Sequence, residues 1–403
     1  ALSSYVRGML TSAAIMRGVG VGQQAATPLA AVFTFFLRDL AGMLGGIVFA
    51  FLEGSSFDSC AKQWRLFADI TNDLGMTMEL ASPLLPRAMF LPIACFGSIA
   101  RSVTGVAGGA TRAALTQHFA LRNNAADVSA KEQSQETATT ILGMVAGMAV
   151  TRLAADSAAA AWLVFGSLTA VHVAANVAAL RRLLLASLNQ PRLELLVARY
   201  LEDGTVLGPR AVAEEEDLTP PPLRRLLDWA SGAEARRPVQ LRYGSRLTAA
   251  LPAAALAQLL TRQGRRRYLL LPGAGGKPGS QPQPLQPSKP SKLQPHVVLH
   301  VVLHRQVTAA DQLRAFVHAR CLQRELTRRW GTLQQPEQQQ GQASSSPPWF
   351  AAAELAAEEW MAARFEPLLV QLRAAGWQAE RVALPRPAWT AEWEPPGGGL
   401  HSD

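Results

Sequence analysis

Residues 157–180 read SAAAAWLVFGSLTAVHVAANVAAL, a stretch of 24 positions without a charged side chain. Its sizeable polar groups are His172 and Asn176. A helix needs about 20 apolar residues to cross a bilayer, so this stretch predicts a membrane helix. Alanine-rich helices buried in a large soluble bundle have a similar composition, and that alternative stays open at the level of sequence.

A second apolar stretch, residues 27–52, reads TPLAAVFTFFLRDLAGMLGGIVFAFL. Its charges are the adjacent residues Arg38 and Asp39. Charged side chains inside a membrane are costly unless they are paired. The stretch therefore qualifies as a membrane helix if these two side chains pair with each other.

Two further stretches are apolar but shorter or interrupted. Residues 82–100 contain three prolines, and residues 137–151 carry Gly143 and Gly147 at the GxxxG spacing. This spacing favours close helix packing in lipid and in water, so it does not separate the two alternatives. The first half of the chain predicts a mainly α, multi-helix, membrane-embedded domain.

Charge is distributed unevenly along the 403 residues. The chain has 39 Lys and Arg, 30 Asp and Glu and a net charge of +9, and only 17% of its residues are charged. Residues 1–190 hold 13 basic and 10 acidic residues, which leaves 39 − 13 = 26 basic and 30 − 10 = 20 acidic residues for the rest. Three scattered cysteines without a CxxC pair indicate neither a disulfide framework nor a zinc site.

The second half predicts a small α/β domain. Residues 297–303 alternate strictly, with Val297, Leu299, Val301 and Leu303 on one face, as in a strand. The predicted elements are strands at 268–271, 297–303 and 377–384 and helices at 311–330 and 351–375.

These patterns divide the chain into domains. The predicted divisions are a helical domain at 1–190, a helical linker at 191–235, a basic α/β domain at 236–393 and a tail at 394–403. Pro/Gln/Ser-rich inserts at about 272–295 and 334–348 interrupt the α/β domain, and their composition predicts disorder.

Polar residues of the first half concentrate in residues 62–79 and 105–137. We hypothesise that the two stretches meet in one ligand-binding site, because unpaired charge among apolar helices is costly and indicates function. The candidate residues are Arg65, Asp69, Asn72, Arg112, Asp127, Lys131 and Glu136. The simpler alternatives are an internal Arg65–Asp69 ion pair and a helix start near Asp127, where Ser129 and Glu132 have capping-box spacing.

Gly108 and Gly109 precede Thr111 and Arg112, which resembles a phosphate-holding glycine turn at the start of a helix. The spacing of a Walker or dinucleotide motif is missing. The alternative is that these glycines permit close helix packing.

The basic tract, residues 236–305, contains 12 Lys and Arg and no acidic residue. Its densest part is Arg262, Arg265, Arg266 and Arg267. This patch predicts binding to acidic lipid headgroups at a membrane surface. Only two tyrosines accompany it, so stacking on nucleic-acid bases is poorly supported.

His296, His300 and His304 lie four residues apart on the predicted strand 297–303 and its flanks. Four residues of a strand span about 13 Å, which is too far for one metal ion. These histidines therefore predict a solvated strand face. No metal, cofactor or catalytic residue is indicated, because GxSxG, HExxH and Walker motifs and Cys–His pairings are missing.

Several long strings resemble the root UVB-sensitive family over about residues 12–201. They are GVGVG at 18–22 followed by Ala26-Thr27, Asp39-x-x-Gly42-Met43, AKQWRLFADI at 61–70 with Asn72-Asp73, GGATRAAL at 108–115, RNN at 122–124, ADVSAK at 126–131 and SQET at 134–137. The family's C-terminal domain is resembled through AAGW at 374–377 and WTAEW at 389–393.

The resemblance implies a multi-helix, membrane-associated protein, with a plastid location for some members. Plant members are linked to UV-B response, root development, auxin transport and vitamin B6 status. No catalytic residues are established for the family. We therefore expect a non-enzymatic scaffold or a carrier of a small anionic metabolite, with membrane lipids and a paralogue or second copy as partners. The alternative is an enzyme that acts on a phosphorylated small molecule.

Overall fold

The computed structural model describes residues 1–20, 28–154, 157–232, 238–247, 253–273, 297–333, 348–384 and 389–394. The chain forms two compact units. The helical unit comprises Ala1–Leu185 and Asp217–Pro221, and the C-terminal unit comprises Ala186–Glu216 and Pro222–Asp403. Most of the two predicted inserts, His296 and nearly all of the predicted tail lie outside the described residues.

Six long helices build the helical unit. They are α1 Leu2–Val19, α2 Pro28–Glu53, α3 Ala61–Ala81, α4 Arg87–Phe119, α5 Ala125–Leu153 and α6 Ala158–Arg182. The predicted fold class, a mainly α first half and a smaller α/β second half, is confirmed. Helix α5 begins at Ala125, so Ser129 lies inside the helix and is not its N-cap.

Three helices of the described residues are long and apolar enough to cross a membrane: Pro28–Ser56, Arg87–Phe119 and Ala158–Arg182. Only 11–17% of the residues in their apolar windows are buried inside the protein. The first and third correspond to the predicted stretches. The second was obscured by its prolines, of which Pro86 is the N-cap and Pro92 lies in the second turn.

Arg38 pairs with a residue of another helix, so the condition that it pairs with Asp39 is not met. Nη2 of Arg38 lies 2.8 Å from Oε1 of Glu79 in α3. Consecutive residues of a helix point about 100° apart, so they do not face each other. Arg38 therefore pairs with a carboxylate of a neighbouring helix and not with one of its own helix.

Small residues set the spacing between α1 and α5, as the GxxxG spacing predicts. A Cβ atom added to Gly143 would lie 2.8 Å from Cβ of Tyr5, and one added to Gly147 would lie 2.8 Å from Cγ of Met9. Such distances leave no room for a side chain, because protein interiors are closely packed.

The C-terminal unit contains six further helices and six strands within the described residues. The helices are α7 Gln190–Asp203, α8 Pro209–Glu215, α9 Pro221–Ser231 (its first residue assigned to the helical unit), α10 Ala253–Gln263, α11 Ala309–Leu333 and α12 Pro348–Ala374. The strands are β1 Ser187–Asn189, β2 Val239–Tyr243, β3 Tyr268–Gly273, β4 Val297–His304, β5 Gln378–Ala383 and β6 Thr390–Ala391.

Strand β4 is the centre of the larger sheet. It pairs in parallel with β2 and antiparallel with β3, and its last two residues pair in parallel with β6. A separate parallel pair joins β1 to β5. Parallel neighbours need a crossover connection, and the intervening helices supply it.

The predicted solvated face of β4 is wrong. Val302 and His304 are buried, and the imidazole of His304 meets the Trp393 ring edge-on with 4.7 Å between ring centroids. Val302 packs with Leu269, Leu271 and Trp393, while Leu299 and Val301 belong to the main core on the other side. The sequence pattern does not reveal this, because the covering residues come from other segments of the chain.

The predicted linker at 191–235 is largely part of the C-terminal unit. Leu193, Leu196 and Tyr200 of α7 are buried in its main core, beside residues of α11 and α12. The Arg192 guanidinium is also buried there, with Nε 3.3 Å from Oε1 of Glu216. This amphipathic helix thus completes the core instead of connecting two domains.

Candidate functional site

Helix α3 carries the polar side chains of the helical unit into its interior. Asp69, Asp73 and Glu79 are buried on this helix although the neighbouring α2, α4 and α6 are strongly apolar. Buried carboxylates need opposite charges or hydrogen-bond donors, because desolvation disfavours the charged form. The neighbouring helices supply these groups at two places.

The first place is the Asp73 cluster, formed by Arg7 of α1, Asp69 and Asp73 of α3, and His172 of α6. Nη1 of Arg7 lies 2.7 Å from Oδ1 of Asp73, and Arg7 is completely buried. Nδ1 of His172 lies 3.1 Å from both carboxylate oxygens of Asp73. Three helices are therefore joined through one carboxylate.

Further polar groups complete the Asp73 cluster. Arg7 donates from Nη1 to Oγ1 of Thr169 over 2.8 Å, and Nε2 of His172 lies 3.3 Å from Oγ of Ser4. Nε of Arg7 also donates to the carbonyl oxygen of Ser3 and Nη2 to Oγ of Ser4, so most of the donors of Arg7 are used, as a buried guanidinium requires.

Asp69 is held more loosely than Asp73. Its Oδ2 lies 3.8 Å from Nε of Arg65, one helical turn away as the sequence spacing predicts, and its Oδ1 lies 3.9 Å from Nε2 of His172. Burial raises the pKa of the Asp69 carboxyl, whereas the positive charge of Arg65 opposes that rise.

The second place is the Glu79 cluster, formed by Arg38 of α2, Glu79 of α3 and Arg101 of α4. Nη2 of Arg38 lies 2.8 Å from Oε1 of Glu79, and Nη1 of Arg101 lies 3.0 Å from Oε2. Glu79 is 1% exposed, whereas the side chains of Arg38 and Arg101 are 18% and 44% exposed. Two guanidinium groups thus share one buried carboxylate.

Glycines bring the three helices of the Glu79 cluster together. A Cβ added to Gly97 would lie 2.9 Å from Cγ of Glu79, and one added to Gly42 would lie 2.5 Å from Oγ of Ser98. A Cβ added to Gly75 would lie 3.0 Å from the carbonyl oxygen of Gly97. The small residues therefore allow Glu79 to reach α4.

The Arg112 cluster is separate and lies at the surface. Nε of Arg112 is 3.0 Å from Oε1 of Glu132, and Nη2 also contacts Oε2 of Glu136. Lys131 pairs with Asp127 one turn away on the exposed side of α5, at 2.9 Å. Two carboxylates of α5 thus face the single guanidinium of α4.

The predicted ligand residues therefore occupy different surroundings. Asp69 belongs to the Asp73 cluster and Arg65 borders it, and Asn72 is half-buried on the same helix. Arg112 and Glu136 are brought together, whereas the contacts of Asp127 and Lys131 are to each other. Among the described residues, no hydrogen bond or ion pair joins the residues of α3 (Arg65, Asp69 and Asn72) to those of α4 and α5 (Arg112, Asp127, Lys131 and Glu136).

The phosphate-loop interpretation of Gly108, Gly109 and Thr111 is corrected by the structure. All three lie inside α4, where backbone N–H groups bond to carbonyls four residues earlier and are not available to an anion. The hydroxyl of Thr111 donates to the carbonyl oxygen of Ala107 over 2.8 Å. A Cβ at Gly108 would lie 4.0 Å from Cβ of Ala68, whereas nothing lies within 4 Å of a Cβ at Gly109, so close helix packing does not require glycine at Gly109.

In three dimensions, acidic side chains lie opposite most of the basic patch. Arg262 lies 3.7 Å from Glu354, Arg266 lies 3.0 Å from Glu358, and Arg267 lies 3.6 Å from Asp311. Arg265 is exposed in the turn before β3. The carboxylates come from α11 and α12, which follow the basic tract in the chain.

Sequence reasoning missed Arg7 and Arg101 and left Glu79 and His172 outside the candidate site. Each is a charged or titratable residue with mostly apolar neighbours, and that isolation is the signal that marks it. Within the described residues, no group of three or more His, Cys, Asp or Glu side chains could hold a metal ion.

Comparison with known proteins gives these clusters a family context. Residues 1–204 match the family model described as "Vitamin B6 photo-protection and homoeostasis domain", and residues 293–393 match "Root UVB sensitive protein, C-terminal". Root UVB sensitive 3 of Arabidopsis thaliana is 38% identical over 97% of this chain and 79% of its own length. The chain belongs to the root UVB-sensitive family.

Other members of the root UVB-sensitive family match a shorter region. RUS family member 1 of Dictyostelium discoideum is 42% identical over 54% of this chain and 42% of its own length. Root UVB sensitive 2, chloroplastic, of Arabidopsis thaliana is 34% identical over 47% of this chain and 43% of its own length. No solved structure matches the chain.

Proposed function

We propose that this member of the root UVB-sensitive family is a membrane-associated carrier that binds a small anionic metabolite at the Glu79 cluster. Three apolar helices of sufficient length support membrane association, because most of their residues face away from the protein interior. Two of these helices, α2 and α4, supply the arginines of the Glu79 cluster.

The balance of charge at the Glu79 cluster is the observation that carries the proposal. Arg38 and Arg101 face a single carboxylate, which leaves one positive charge in excess. The Nε–H group of Arg38 is buried and donates to no acceptor among the described residues. An anion placed beside these two guanidinium groups would balance the charge and accept the remaining hydrogen bonds.

The other two clusters lack this excess. At the Arg112 cluster one guanidinium faces Glu132 and Glu136. At the Asp73 cluster Arg7 and the neighbouring Arg65 face two carboxylates, with His172 between them. Anion binding is therefore favoured at the Glu79 cluster over the residues that the sequence suggested.

The class of anion follows from the family. The domain that covers residues 1–204 is described by vitamin B6 photo-protection and homoeostasis. Phosphorylated forms of vitamin B6 carry the anionic group that paired arginines recognise. We infer that such a phosphate ester is the ligand, while the links to UV-B response, root development, auxin transport and plastids stay predictions for this chain.

Equilibrium binding to the full chain in lipid nanodiscs tests the proposal. The probes are pyridoxine 5′-phosphate and pyridoxine, because neither has an aldehyde that would react with lysines. We expect the phosphate ester to bind at least about tenfold more tightly, since a charge-assisted pair of this kind is worth roughly 1.4 kcal/mol or more.

Two arginines of α4 provide a matched pair of variants. Arg101→Gln should remove most of the preference for the phosphate ester, whereas Arg112→Gln should leave it unchanged. Glu79 keeps Arg38 as its partner in the first variant, so the fold is expected to persist. Equal affinity for the two probes, or equal losses in both variants, would contradict the proposal.

A structural scaffold is the second candidate function, and the Asp73 cluster favours it. Arg7, Asp73 and His172 link three helices, and Arg7 is completely buried. If neither probe binds and Arg7 variants abolish accumulation of the protein, the scaffold is the better description. If the nanodisc samples convert the phosphate ester chemically, as mass spectrometry would detect, the enzyme alternative replaces both.

A further inference from the structure

Helix α9, Pro221–Ser231, has an apolar surface that nothing covers in the described part of the chain. None of its residues is buried. Leu223, Leu226, Leu227 and Trp229, here called the α9 apolar face, are 42–80% exposed, with Trp229 the most exposed of them. Large apolar side chains grouped on an exposed helix mark an interaction surface.

The two sides of α9 differ in chemistry. Leu223, Leu226 and Leu227 follow the i, i+3, i+4 spacing of one helix face, and Trp229 flanks them. Arg224, Arg225 and Asp228 fall on the opposite side. Helices with leucine and tryptophan on one side and arginine on the other lie in the interface between lipid and water.

The segment before α9 places its first residue near the end of a candidate membrane helix. Leu218 packs against Leu180, close to the last residue of α6, and against Leu66 of α3. Nε2 of Gln63 donates to the carbonyl oxygen of Asp217 over 2.8 Å. Asp217–Pro221 therefore belong to the helical unit, and α9 begins at Pro221.

The contacts of Asp217 and Leu218 set the depth at which α9 starts. Pro221 is three residues from Leu218, so it lies within about 10 Å of that contact. Helix α6 ends with Arg181 and Arg182, residues that prefer the headgroup region at the end of a membrane helix. The beginning of α9 is thus at the level of the headgroups if α6 crosses the membrane.

We propose that α9 is an in-plane membrane anchor, with its apolar face among the acyl chains and Arg224 and Arg225 at acidic headgroups. The bilayer surface is favoured as the occupant because the helix starts at headgroup depth and its polar side carries two arginines. The inference rests on the membrane association in the proposed function, but not on anion binding at the Glu79 cluster.

A single fluorescent residue in the full chain tests the anchor. Dansylalanine replaces Leu227, Asp228 or Ile47 in turn, and each variant is reconstituted into phosphatidylcholine vesicles with phosphatidylglycerol. Leu227 reports the α9 apolar face, Asp228 is the matched control on the polar side, and Ile47 reports α2. The added lipids carry a nitroxide quencher either near the headgroup or deep in the acyl chain.

The anchor predicts blue-shifted emission at position 227 that the shallow quencher reduces at least about twofold more than the deep one. Position 228 should emit as in water. Water-like emission at 227 with lipid-quenched emission at 47 would overturn the anchor and leave membrane association intact. Blue-shifted emission at 227 that neither quencher reduces would also overturn it, because a second copy or another protein would then cover the face.

Water-like emission at both 227 and 47 would remove membrane association, and with it the basis of the anchor. All three labelled positions are exposed or half-buried, so the substitutions do not disturb a packed core. Vesicles without phosphatidylglycerol add a second measurement. Quenching at 227 should weaken in them, because the headgroup charge that attracts Arg224 and Arg225 is gone.

Discussion

Arg7 and Arg112 are both arginines that contact carboxylates, yet their surroundings give them different importance. Arg7 is completely buried, and its partner Asp73 has a side chain that is only 8% exposed. Arg112 is 35% exposed, and Glu132 and Glu136 are 45% and 33% exposed. Water screens the second set of charges but not the first, so the loss of each guanidinium has a different cost.

Arg7→Ala should therefore destabilise the protein by about 3–5 kcal/mol, because it leaves the carboxylate of Asp73 buried with only His172 beside it. Arg112→Ala should cost less than about 1 kcal/mol, since its carboxylates become solvated. Thermal unfolding of the two purified variants in the same detergent measures the difference. Similar losses of stability in both variants would contradict the description of Arg7 and Asp73 as a buried ion pair.

The protonation of His318 is expected to make the stability of the C-terminal unit depend on pH. Burial, together with the positive charges of Arg266 and Arg314, lowers the pKa of His318 to about 3. Burial raises the pKa of Tyr268 to about 12, so its hydroxyl remains protonated and can donate to Nδ1 of His318 over 3.0 Å. The folded state therefore holds a neutral imidazole.

The unfolded chain takes up this proton near pH 6.5, whereas the folded chain does so only near pH 3. The stability from neutral His318 is therefore complete above about pH 6.5 and is lost as the pH falls towards 3, by a few kcal/mol in total. Urea unfolding of the full chain at about pH 7.5 and 5 measures it. The pH-dependent loss should be smaller in His318→Gln than in the parent chain.

At the scale of helices, glycines decide which elements can approach each other. Gly143 and Gly147 of α5 touch Tyr5 and Met9 of α1, so GxxxG spacing correctly indicated a close helix contact. The same spacing could not name the partner helix, because the contacting side chains are more than 130 positions away. Gly42, Gly75 and Gly97 act similarly around Glu79.

Gly143→Ala should destabilise the helical unit by about 1–3 kcal/mol, because the new methyl group has no space beside Tyr5. Gly105→Ala is the matched control. No atom lies within 4 Å of a Cβ at this position, and alanine is the better helix former by up to about 1 kcal/mol. Equal melting temperatures for both variants would show that α1 and α5 do not pack as described.

The charged residues show where prediction from sequence ends. Arg65 and Asp69 could be paired from their spacing because both lie on one helix. Asp39 was the only partner considered for Arg38, and Arg262 and Arg266 were taken as unopposed, because their true partners are distant in sequence. Helices and strands follow local periodicity, whereas ion pairs between elements depend on three-dimensional packing.

At the scale of the whole molecule, the exposed apolar helices predict how the protein is extracted. Alkaline carbonate strips proteins held by charge or by partner proteins but leaves spanning helices in the lipid. We expect the full chain to remain in the membrane pellet, because α2, α4 and α6 expose their apolar residues. Complete release into the supernatant would contradict both membrane association and the depth argument for α9.

Helix α3 also has a consequence for how the chain is made. If the helical unit is inserted into a bilayer as proposed, a segment with Asp69, Asp73 and Glu79 cannot leave the translocon for lipid alone, because its charges need partners. One of these, His172, is synthesised 99 positions after Asp73. We expect nascent chains to keep α3 sheltered until α6 arrives, so a chain stopped before Ala158 should be degraded faster than the full chain in a pulse-chase experiment. Equal half-lives would mean that Arg7, Arg38 and Arg101 are enough to stabilise this helix without α6.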